Sequence, residues 1–338
     1  MMNGPALSVY NLTMHYGTRQ GEVSAVDGVS FDLARGQSLG IVGESGCGKT
    51  SIAFSLMRLL PDNARIKDGY ILINGRDIVA MDYDELLKVR WRRIAMVFQA
   101  AMNALNPVHK VGQQIIEAMD LHLGVMTTEE SRERVAGLFD LVGLDPALMD
   151  RYPHEFSGGM RQRAVIAMAL CCNPEIIIAD EPTTALDVIV QDRILKRIRT
   201  LQIELNMAMI YISHDIAVIA EVSDRIAVMY AGRMAELADA MDVFKHPLHP
   251  YTYALLSAFP SIKGERRALM TLPGEPPDLL NPPDGCRFHP RCPYASDRCR
   301  AEQPPFEDLG NDHFVACWHP LAGTPSPSRP RQAAQGVF

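Results

Sequence analysis

The glycine-rich segment at residues 43–50 constrains the fold of this chain more than any other part of its sequence. It reads GESGCGKT and matches the pattern G-x-x-x-x-G-K-[ST] at every fixed position. An apolar run, residues 39–42, precedes it, and a run of helical character, residues 51–60, follows it. Glycines let successive backbone N–H groups point at phosphate oxygens, and the following helix offers its positive end. The segment therefore predicts a phosphate site on a strand–turn–helix unit.

Chemistry assigns roles to this segment and to two acids further along the chain. We expect Lys49 to contact the β- and γ-phosphates of a nucleotide, and the hydroxyl of Thr50 to ligate Mg²⁺. Residues 175–181, EIIIADE, form an apolar run that ends in Asp180 and Glu181. We expect Asp180 to bind Mg²⁺ through water, and Glu181 to polarise an attacking water. The predicted nucleotide-binding residues of the glycine-rich segment are Gly43, Glu44, Ser45, Gly46, Cys47, Gly48, Lys49, Thr50 and Ser51.

The composition predicts a folded chain that does not itself cross a membrane. Hydrophobic residues make up 47% of the chain and charged residues 22%, as in globular proteins. The net charge of −7 excludes a general basic surface for nucleic acid. The longest apolar run, residues 164–172, has about half the length of a membrane span, and the first residues, MMNGP, lack the features of a signal peptide. We expect a cytosolic chain whose membrane link comes through partners.

The first 245 residues alternate short β-branched runs with amphipathic stretches, which predicts an α/β fold with a parallel sheet and crossover helices. The predicted buried strands are residues 38–42, 175–179 and 209–213, each a short apolar run. The residues up to 33, together with 69–73, alternate more and are predicted to form an antiparallel layer beside that core.

Two later regions have a different character. Helical periodicity at residues 113–123 and 129–142 predicts a helical insertion between strands of the core. After residue 245 one short helix, 251–258, is predicted, and then proline and glycine become too dense for a conventional core. The predicted parts are residues 1–245 with a helical subdomain at about 100–155, a C-terminal region at 246–323, and a disordered tail at 324–338.

Residues 156–163, FSGGMRQR, closely resemble the signature motif of ATP-binding cassette (ABC) ATPases, which usually reads LSGGQ. Phe156 and Met160 are mild departures from that motif. Other family elements follow in order: Tyr16 resembles the aromatic residue that stacks on adenine, Gln99 the Q-loop glutamine, residues 185–187 the D-loop, and His214 the switch histidine. The resemblance covers about residues 7–244.

This resemblance implies a P-loop NTPase core with an antiparallel β layer and a helical subdomain, followed here by a small Cys-rich irregular C-terminal region. It implies ATP hydrolysis with Glu181, His214 and Gln99 as catalytic residues, and Mg²⁺ held by Thr50, Gln99 and Asp180. In this family the signature contacts the γ-phosphate across a dimer, so a second ATPase subunit is implied. Outside the glycine-rich segment, the residues expected to bind ATP are Tyr16, Gln99, Asp180, Ser157, Gly158, Gly159, Gln162 and Asp187.

Within the family, three segments resemble the ATPase subunits of oligopeptide and dipeptide importers. They are residues 99–107 (QAAMNALNP), 180–187 (DEPTTALD) and 246–256 (HPLHPYTYALL); the first has Ala100 and Ala101 where these subunits usually have Asp-Pro. The resemblance implies ATP-driven dimer closure coupled to two transmembrane permease subunits and an extracytoplasmic substrate-binding protein. It also favours a heterodimer of ATPases, peripheral location on the cytoplasmic face of the cell membrane, and no nucleic acid partner.

Other functions are compatible with parts of this pattern. One alternative is a soluble ABC ATPase of DNA repair, chromosome organisation or translation. A chromosome-type member would separate its motifs by a long coiled coil, whereas Lys49 and Ser157 are only 108 residues apart. A translation-type member would carry two cassettes, and this chain has one. A regulatory cassette that binds ATP without turnover would not need Glu181 and His214. An importer of a sugar or of nickel remains open, because solute specificity is not encoded in this subunit.

Seven cysteines divide into two sets. Cys47, Cys171 and Cys172 are expected to be buried packing residues. The other four lie within 32 residues, at spacings that leave structural zinc, disulfides or an iron–sulfur cluster open; they are Cys286, Cys292, Cys299 and Cys317. Some peptide-importer ATPases carry a [4Fe–4S] cluster here, so the resemblance favours that cluster, in a structural role, over Zn²⁺. Four arginines among these cysteines are expected to offset its negative charge: Arg287, Arg291, Arg298 and Arg300.

Overall fold

Two β-sheets organise the computed structural model, which describes residues 4–99, 104–182, 188–258 and 274–321. The smaller sheet is antiparallel, with the strand order β2-β1-β4-β5. Its strands are β1 (Leu7–Thr18), β2 (Gly21–Leu33), β4 (Ala64–Ile73) and β5 (Arg76–Asp77). The antiparallel layer predicted from the sequence is therefore confirmed.

Within the described residues, the larger sheet has eight strands in the order β11-β12-β10-β9-β3-β8-β7-β6. The strands from β9 to β6 are parallel neighbours, and the remaining three pair antiparallel at one edge. The strands are β3 (Ser38–Val42), β6 (Ile94–Val97), β7 (Ile176–Asp180), β8 (Ala208–Ser213), β9 (Arg225–Tyr230), β10 (Arg233–Asp239), β11 (Glu307–Asp308) and β12 (Phe314–Val315). Three of them, β3, β7 and β8, are the predicted buried strands, within one residue at each end.

Helices connect and cover these strands. They are α1 (Lys49–Met57), α2 (Tyr83–Val89), α3 (Val111–Leu123), α4 (Thr128–Val142), α5 (Gly158–Leu170), α6 (Val188–Glu204), α7 (Ile216–Val222), α8 (Ala240–Lys245), α9 (Pro250–Ser257) and α10 (Asp297–Ala301). Helices α3 and α4 end where the periodicity predicted. A reciprocal capping box between Thr127 and Glu130 starts α4, and Gly143, at φ 74°, ends it.

The core lies on both faces of the larger sheet, because successive residues of a strand point to opposite faces. Ile176 and Ile178 face the side shared with the smaller sheet and α1, whereas Ile177 and Ala179 face the helical side. Burial on both faces explains why these strands read as continuous apolar runs.

The region after residue 245 shares the core of the preceding part. Strand β12 pairs with β10, with Glu236 opposite Val315. The Phe288 ring lies 5.1 Å from that of Tyr230 and 5.4 Å from that of Tyr251. The sequence predicted that this region has no conventional core of its own. It did not predict that the region packs against β9 and β10. The predicted disordered tail, 324–338, lies outside the described residues, and no helix within the described ranges has the length and hydropathy to span a membrane.

Candidate nucleotide-binding site

Three parallel strands bring the predicted site residues to one edge of the larger sheet. The glycine-rich segment follows β3, Glu181 follows β7, and His214 follows β8, and these strands are adjacent. Because the carboxyl ends of parallel neighbours meet at the same edge, ligands bind there in such sheets. The edge holds a cleft of about 710 Å³, which is large enough for a nucleotide. Its predicted lining residues are Tyr16, Ser45, Gly46, Gly48, Lys49, Thr50, Ser51, Gln99, Glu181 and His214.

The glycine-rich segment adopts a loop that requires glycine at two positions. A Cβ on Gly48, at φ 104°, would lie 2.1 Å from the carbonyl oxygen of Ala25. A Cβ on Gly43, at φ 155°, would lie 2.3 Å from the carbonyl oxygen of Met229. Lys49 begins α1 and is 6% exposed. Its Nζ donates to the carbonyl oxygens of residues 43 and 44, at 2.8 and 2.9 Å, so the ammonium is held within the loop that would bind phosphate.

The three predicted catalytic residues converge. The amide Nε2 of Gln99 donates to one carboxylate oxygen of Glu181 at 2.7 Å, and Nδ1 of His214 lies 3.1 Å from the other. Glu181 has φ 45°, which is uncommon for a residue with a side chain, and its N–H donates to the Ile212 carbonyl at 2.9 Å. Strain of this kind is concentrated at functional sites. The Glu181 carboxylate is thus held at the mouth of the phosphate loop by an amide and an imidazole.

The neighbouring acid, Asp180, has the environment expected of a magnesium ligand. It is 1% exposed, and burial raises its pKa to about 6, against smaller lowering effects from the hydroxyl of Thr50 and the ammonium of Lys49. Its Oδ1 has no hydrogen-bond partner among the residues that the structure describes. A buried carboxylate oxygen without a partner is costly, and Mg²⁺ favours carboxylate, hydroxyl and water oxygens. The side chains present therefore fit the predicted Mg²⁺ at Thr50 and Asp180, with Gln99 lining the same cleft.

One wall of the cleft, beside the glycine-rich segment, is suited to an adenine ring. The hydroxyl of Tyr16 lies 3.3 Å from that of Ser51, and Val23 and Ala25 line the wall beside it. Leu279 also lines the cleft, and its carbonyl oxygen accepts from the Ser24 N–H at 3.3 Å. Leu279 was not predicted from the sequence, because a proline-rich segment without periodicity gives no local signal for such a contact.

The signature residues lie away from this cleft. Ser157 is exposed, and its Oγ accepts from the Met160 N–H at 3.3 Å at the start of α5. Ser157, Gly158, Gly159 and Gln162 are not among the described residues that line the cleft. This placement agrees with a role toward a second subunit, which stays a prediction. Asp187 and the rest of the predicted D-loop lie outside the described residues, as do Ala100 and Ala101.

The four clustered cysteines share one small cavity. Cys286, Cys292, Cys299 and Cys317 line it. Its volume of about 10 Å³ is that of a single water. Burial raises the pKa of Cys286 to about 11 and that of Cys317 to about 12, and all seven cysteines are free thiols. Across the described ranges, no group of three or more Cys, His, Asp or Glu side chains is arranged to hold a metal ion. The structure therefore does not support the iron–sulfur prediction, although it brings the four thiols together.

The other three cysteines are buried, and the four arginines form ion pairs. Cys47, Cys171 and Cys172 are buried, as predicted. Arg287 and Arg291 are also buried and pair with the carboxylates of Asp27 and Glu44, whereas the exposed Arg298 and Arg300 pair with Glu302 and Asp297. Each of the four arginines thus has a carboxylate partner, which accounts for its charge without a metal cluster.

Comparison with known proteins gives consistent matches along the chain. Residues 26–184 match the family model described as ABC transporter, and residues 235–299 match that of the oligopeptide/dipeptide transporter C-terminal region. The chain is 46% identical over 317 residues to the oligopeptide transport ATP-binding protein OppD of Escherichia coli, covering 93% of each chain. It is 46% identical over 315 residues to the dipeptide transport ATP-binding protein DppD of Bacillus subtilis, covering 92% of this chain and 94% of that one. A solved dimeric structure of the bacterial ABC transporter cassette MJ0796 superposes with a TM-score of 0.63 at 28% identity, covering 69% of this chain and 98% of that chain.

Proposed function

We propose that this chain, which belongs to the ABC transporter ATPases, is the ATP-hydrolysing subunit that energises an importer of oligopeptides or dipeptides. The observation that carries the proposal is the Glu181 carboxylate, held by Gln99 and His214 beside Lys49 and Thr50 in one cleft. The match of residues 235–299 to the oligopeptide/dipeptide transporter C-terminal region supports the peptide class of substrate.

The residues of the cleft have separate proposed roles in ATP hydrolysis. Lys49 and the N–H groups at the start of α1 bind the phosphates. Thr50, Asp180 and Gln99 hold Mg²⁺, which neutralises phosphate charge when bound. Glu181 orients and polarises water for attack on the γ-phosphate, and His214 holds both Glu181 and the γ-phosphate. Tyr16 stacks on adenine, beside the apolar wall of Val23 and Ala25.

Exposed apolar side chains beside Gln99 support docking of membrane permease subunits. Phe98 is 39% exposed, and its ring lies 6.4 Å from that of Phe54. Leu59 is 37% exposed on the segment that follows α1. Exposed apolar side chains that form a contiguous patch mark interaction surfaces, and a permease docked here would cover Phe98 and Leu59. The proposed assembly therefore has two permeases, held on the cytoplasmic face of the membrane with this chain as a peripheral subunit, and an extracytoplasmic substrate-binding protein.

A second ATPase subunit completes the proposed catalytic unit. The exposed Ser157 at the start of α5 is available to a facing subunit. Ser157, Gly158, Gly159 and Gln162 would then serve the ATP of that subunit, together with Asp187. We favour a different chain as the facing subunit, as in the heterodimer expected from the sequence. Co-purification of the permeases with a single type of ATPase would contradict the heterodimer.

The experiment is ATP hydrolysis and peptide uptake by the complex reconstituted in proteoliposomes with its permeases and binding protein. Glu181→Gln should lower turnover by about 10²-fold or more while ATP still binds. Glu204→Gln changes an exposed acid at the end of α6 and is the matched control. Wild-type turnover in Glu181→Gln would refute the proposed base. Uptake of nickel or a sugar in place of peptides would refute the substrate class.

For the four cysteines we propose a bound [4Fe–4S] cluster with a structural role, with Zn²⁺ as the alternative occupant. Their convergence on one cavity supports a shared site. Protein purified anaerobically should be brown and contain about four irons per chain. Colourless protein with one zinc per chain would establish the alternative, and protein without either metal would refute both.

A further inference from the structure

A buried arginine of the C-terminal region reaches the phosphate loop. The side chain of Arg291 is 6% exposed, and its two terminal nitrogens donate to the two carboxylate oxygens of Glu44 at 2.6 and 3.0 Å. Glu44 is the second residue of the glycine-rich segment and lies 247 residues earlier in the chain. Paired contacts of this geometry are the strong form of an arginine–carboxylate interaction. The loop that binds phosphate is thus joined to the segment that carries Cys292.

Two tyrosines complete the surroundings of this ion pair. The hydroxyl of Tyr230 accepts from Arg291 at 3.2 Å, and the hydroxyl of Tyr251 accepts from the Glu44 N–H at 2.9 Å. The Glu44 carbonyl oxygen also accepts from Nζ of Lys49. Glu44 is therefore one residue from the cleft and linked to the lysine that would bind phosphate, although its side chain does not line the cleft.

The charge of Glu44 has a direct bearing on nucleotide binding. A carboxylate one residue from the phosphate-binding amides repels a polyphosphate, and the repulsion is strong where burial lowers the effective dielectric. The guanidinium of Arg291 neutralises that carboxylate at hydrogen-bond distance. Removal of one partner of a buried pair leaves the other charge uncompensated. Loss of Arg291 would therefore leave the Glu44 carboxylate uncompensated beside the loop that binds the anionic phosphates.

The same C-terminal region also contributes a residue to the wall of the cleft. Leu279 lines the cleft on the side of Tyr16, and its carbonyl oxygen bonds to strand β2 at Ser24. Between these two contacts in the sequence, the buried Arg287 pairs with Asp27, also in β2. The region thus contacts the phosphate loop through Arg291, lines the cleft through Leu279, and is anchored between these contacts by Arg287.

We propose that the C-terminal region completes the ATP site: Arg291 acts through Glu44 as a positioning residue that compensates charge, and Leu279 closes the base end of the cleft. The inference rests on the proposed assignment of this cleft as the ATP site. It predicts that nucleotide affinity depends on residues far outside the catalytic motifs. It also predicts that the two ends contribute differently, because one contribution is electrostatic and the other is apolar contact.

The test measures ATP and ADP affinity of the full chain by equilibrium titration at low and high salt. Arg291→Met should weaken ATP binding by about tenfold or more at low salt, and ADP binding by less, because ADP carries less charge. The loss should shrink at high salt, because the uncompensated Glu44 carboxylate is 25% exposed and salt screens it. Arg300→Met removes an exposed arginine of the same region that pairs with Asp297, and should leave affinity unchanged.

A second substitution separates charge compensation from a merely structural role. Glu44→Gln in the Arg291→Met background removes the uncompensated anion and should restore ATP affinity to within about threefold of wild type. If the double variant binds ATP no better than Arg291→Met, the charge role is wrong. If Arg291→Met does not fold, Arg291→Lys retains the charge without the paired geometry and should keep most of the affinity; a loss as large as tenfold would overturn the inference.

Two further substitutions test the Leu279 contact and the assignment of the cleft as the ATP site. Leu279→Ala should weaken ATP and ADP equally, by a few fold and independently of salt, whereas Leu309→Ala, at a 52% exposed leucine, should not. Unchanged affinity in Leu279→Ala would overturn the base-end contact. Lys49→Ala tests whether the cleft binds ATP at all. If Lys49→Ala binds ATP as well as wild type, the proposed function fails. If Lys49→Ala loses ATP binding but the Arg291 and Leu279 variants do not, only the role of the C-terminal region is refuted.

Discussion

Glu236→Ala should destabilise the attachment of the C-terminal region to the larger sheet. The Glu236 carboxylate, on β10, is fully buried. It accepts from the N–H groups of Leu248 and His249 at 2.8 and 2.9 Å and lies 2.7 Å from Nε2 of His313. These three groups come from both ends of the C-terminal region. Removal of the carboxylate would leave one buried and one half-buried backbone donor without an acceptor, and would weaken the attachment of both ends to β10.

The expected loss follows from these contacts. Each backbone donor left without an acceptor costs about 1–3 kcal/mol, and loss of the hydrogen bond between His313 and the carboxylate costs about 1.5–3 kcal/mol. Part of this is offset because the carboxylate no longer has to be desolvated. We expect a net loss of about 3–5 kcal/mol in the free energy of unfolding. Glu236→Gln, which keeps one acceptor oxygen, should lose about half as much.

The assay is urea unfolding followed by tryptophan fluorescence. The chain has two tryptophans, and Trp318 reports on the C-terminal region through its indole N–H, which donates to the Glu302 carbonyl at 3.0 Å. In a Trp91→Phe background the signal comes from Trp318 alone. Glu307→Ala, at an exposed acid of β11, is the control. A loss below about 1 kcal/mol in Glu236→Ala would refute the argument that this carboxylate holds the region.

Three further substitutions test other parts of the structure. Gly48→Ala should abolish ATP binding and lower thermal stability because its Cβ would lie 2.1 Å from a carbonyl oxygen, whereas Gly137→Ala, in open space on α4, should stabilise the protein by about 0.5–1 kcal/mol. Ser157→Ala should lower ATP turnover of the complex without changing ATP affinity of the isolated chain; a loss of affinity there would contradict action on a second subunit. Cys292→Ser should lower the metal content measured by elemental analysis, and equal content in Cys292→Ser and Cys172→Ser would refute a metal site at the four cysteines.

The sequence predicts the local parts of this fold well because their signals are local. The glycine-rich segment is specified by its own eight residues, and the structure shows why two of its glycines are required. Periodicity places the ends of α3 and α4 correctly, since each helix has one apolar face and a distinct terminus. The buried strands β3, β7 and β8 are short apolar runs, which burial on both faces of a parallel sheet produces.

The parts that sequence reasoning missed depend on contacts between distant residues. From the sequence, Arg291 is expected to offset the charge of a cluster at the neighbouring cysteines, and only the fold reveals that it is buried against Glu44. Leu279 lies in a segment without period, so nothing local indicates that it lines the cleft. The short strand β12 joins β10 through two residue pairs, too few to leave an alternating pattern.

The separation between Glu44 and Arg291 also has a consequence for synthesis. Ribosomes add roughly 5–20 residues per second, so the 247 residues between the two partners take about 10–50 s to make. Throughout that interval the nascent phosphate loop carries an acid whose partner has not yet been translated. Under the proposed role of Arg291, a ribosome-bound or truncated chain has weakened affinity for ATP. The ability to bind ATP and to dimerise around it with a second subunit would then arise late in translation. Incomplete chains would therefore not enter the assembly.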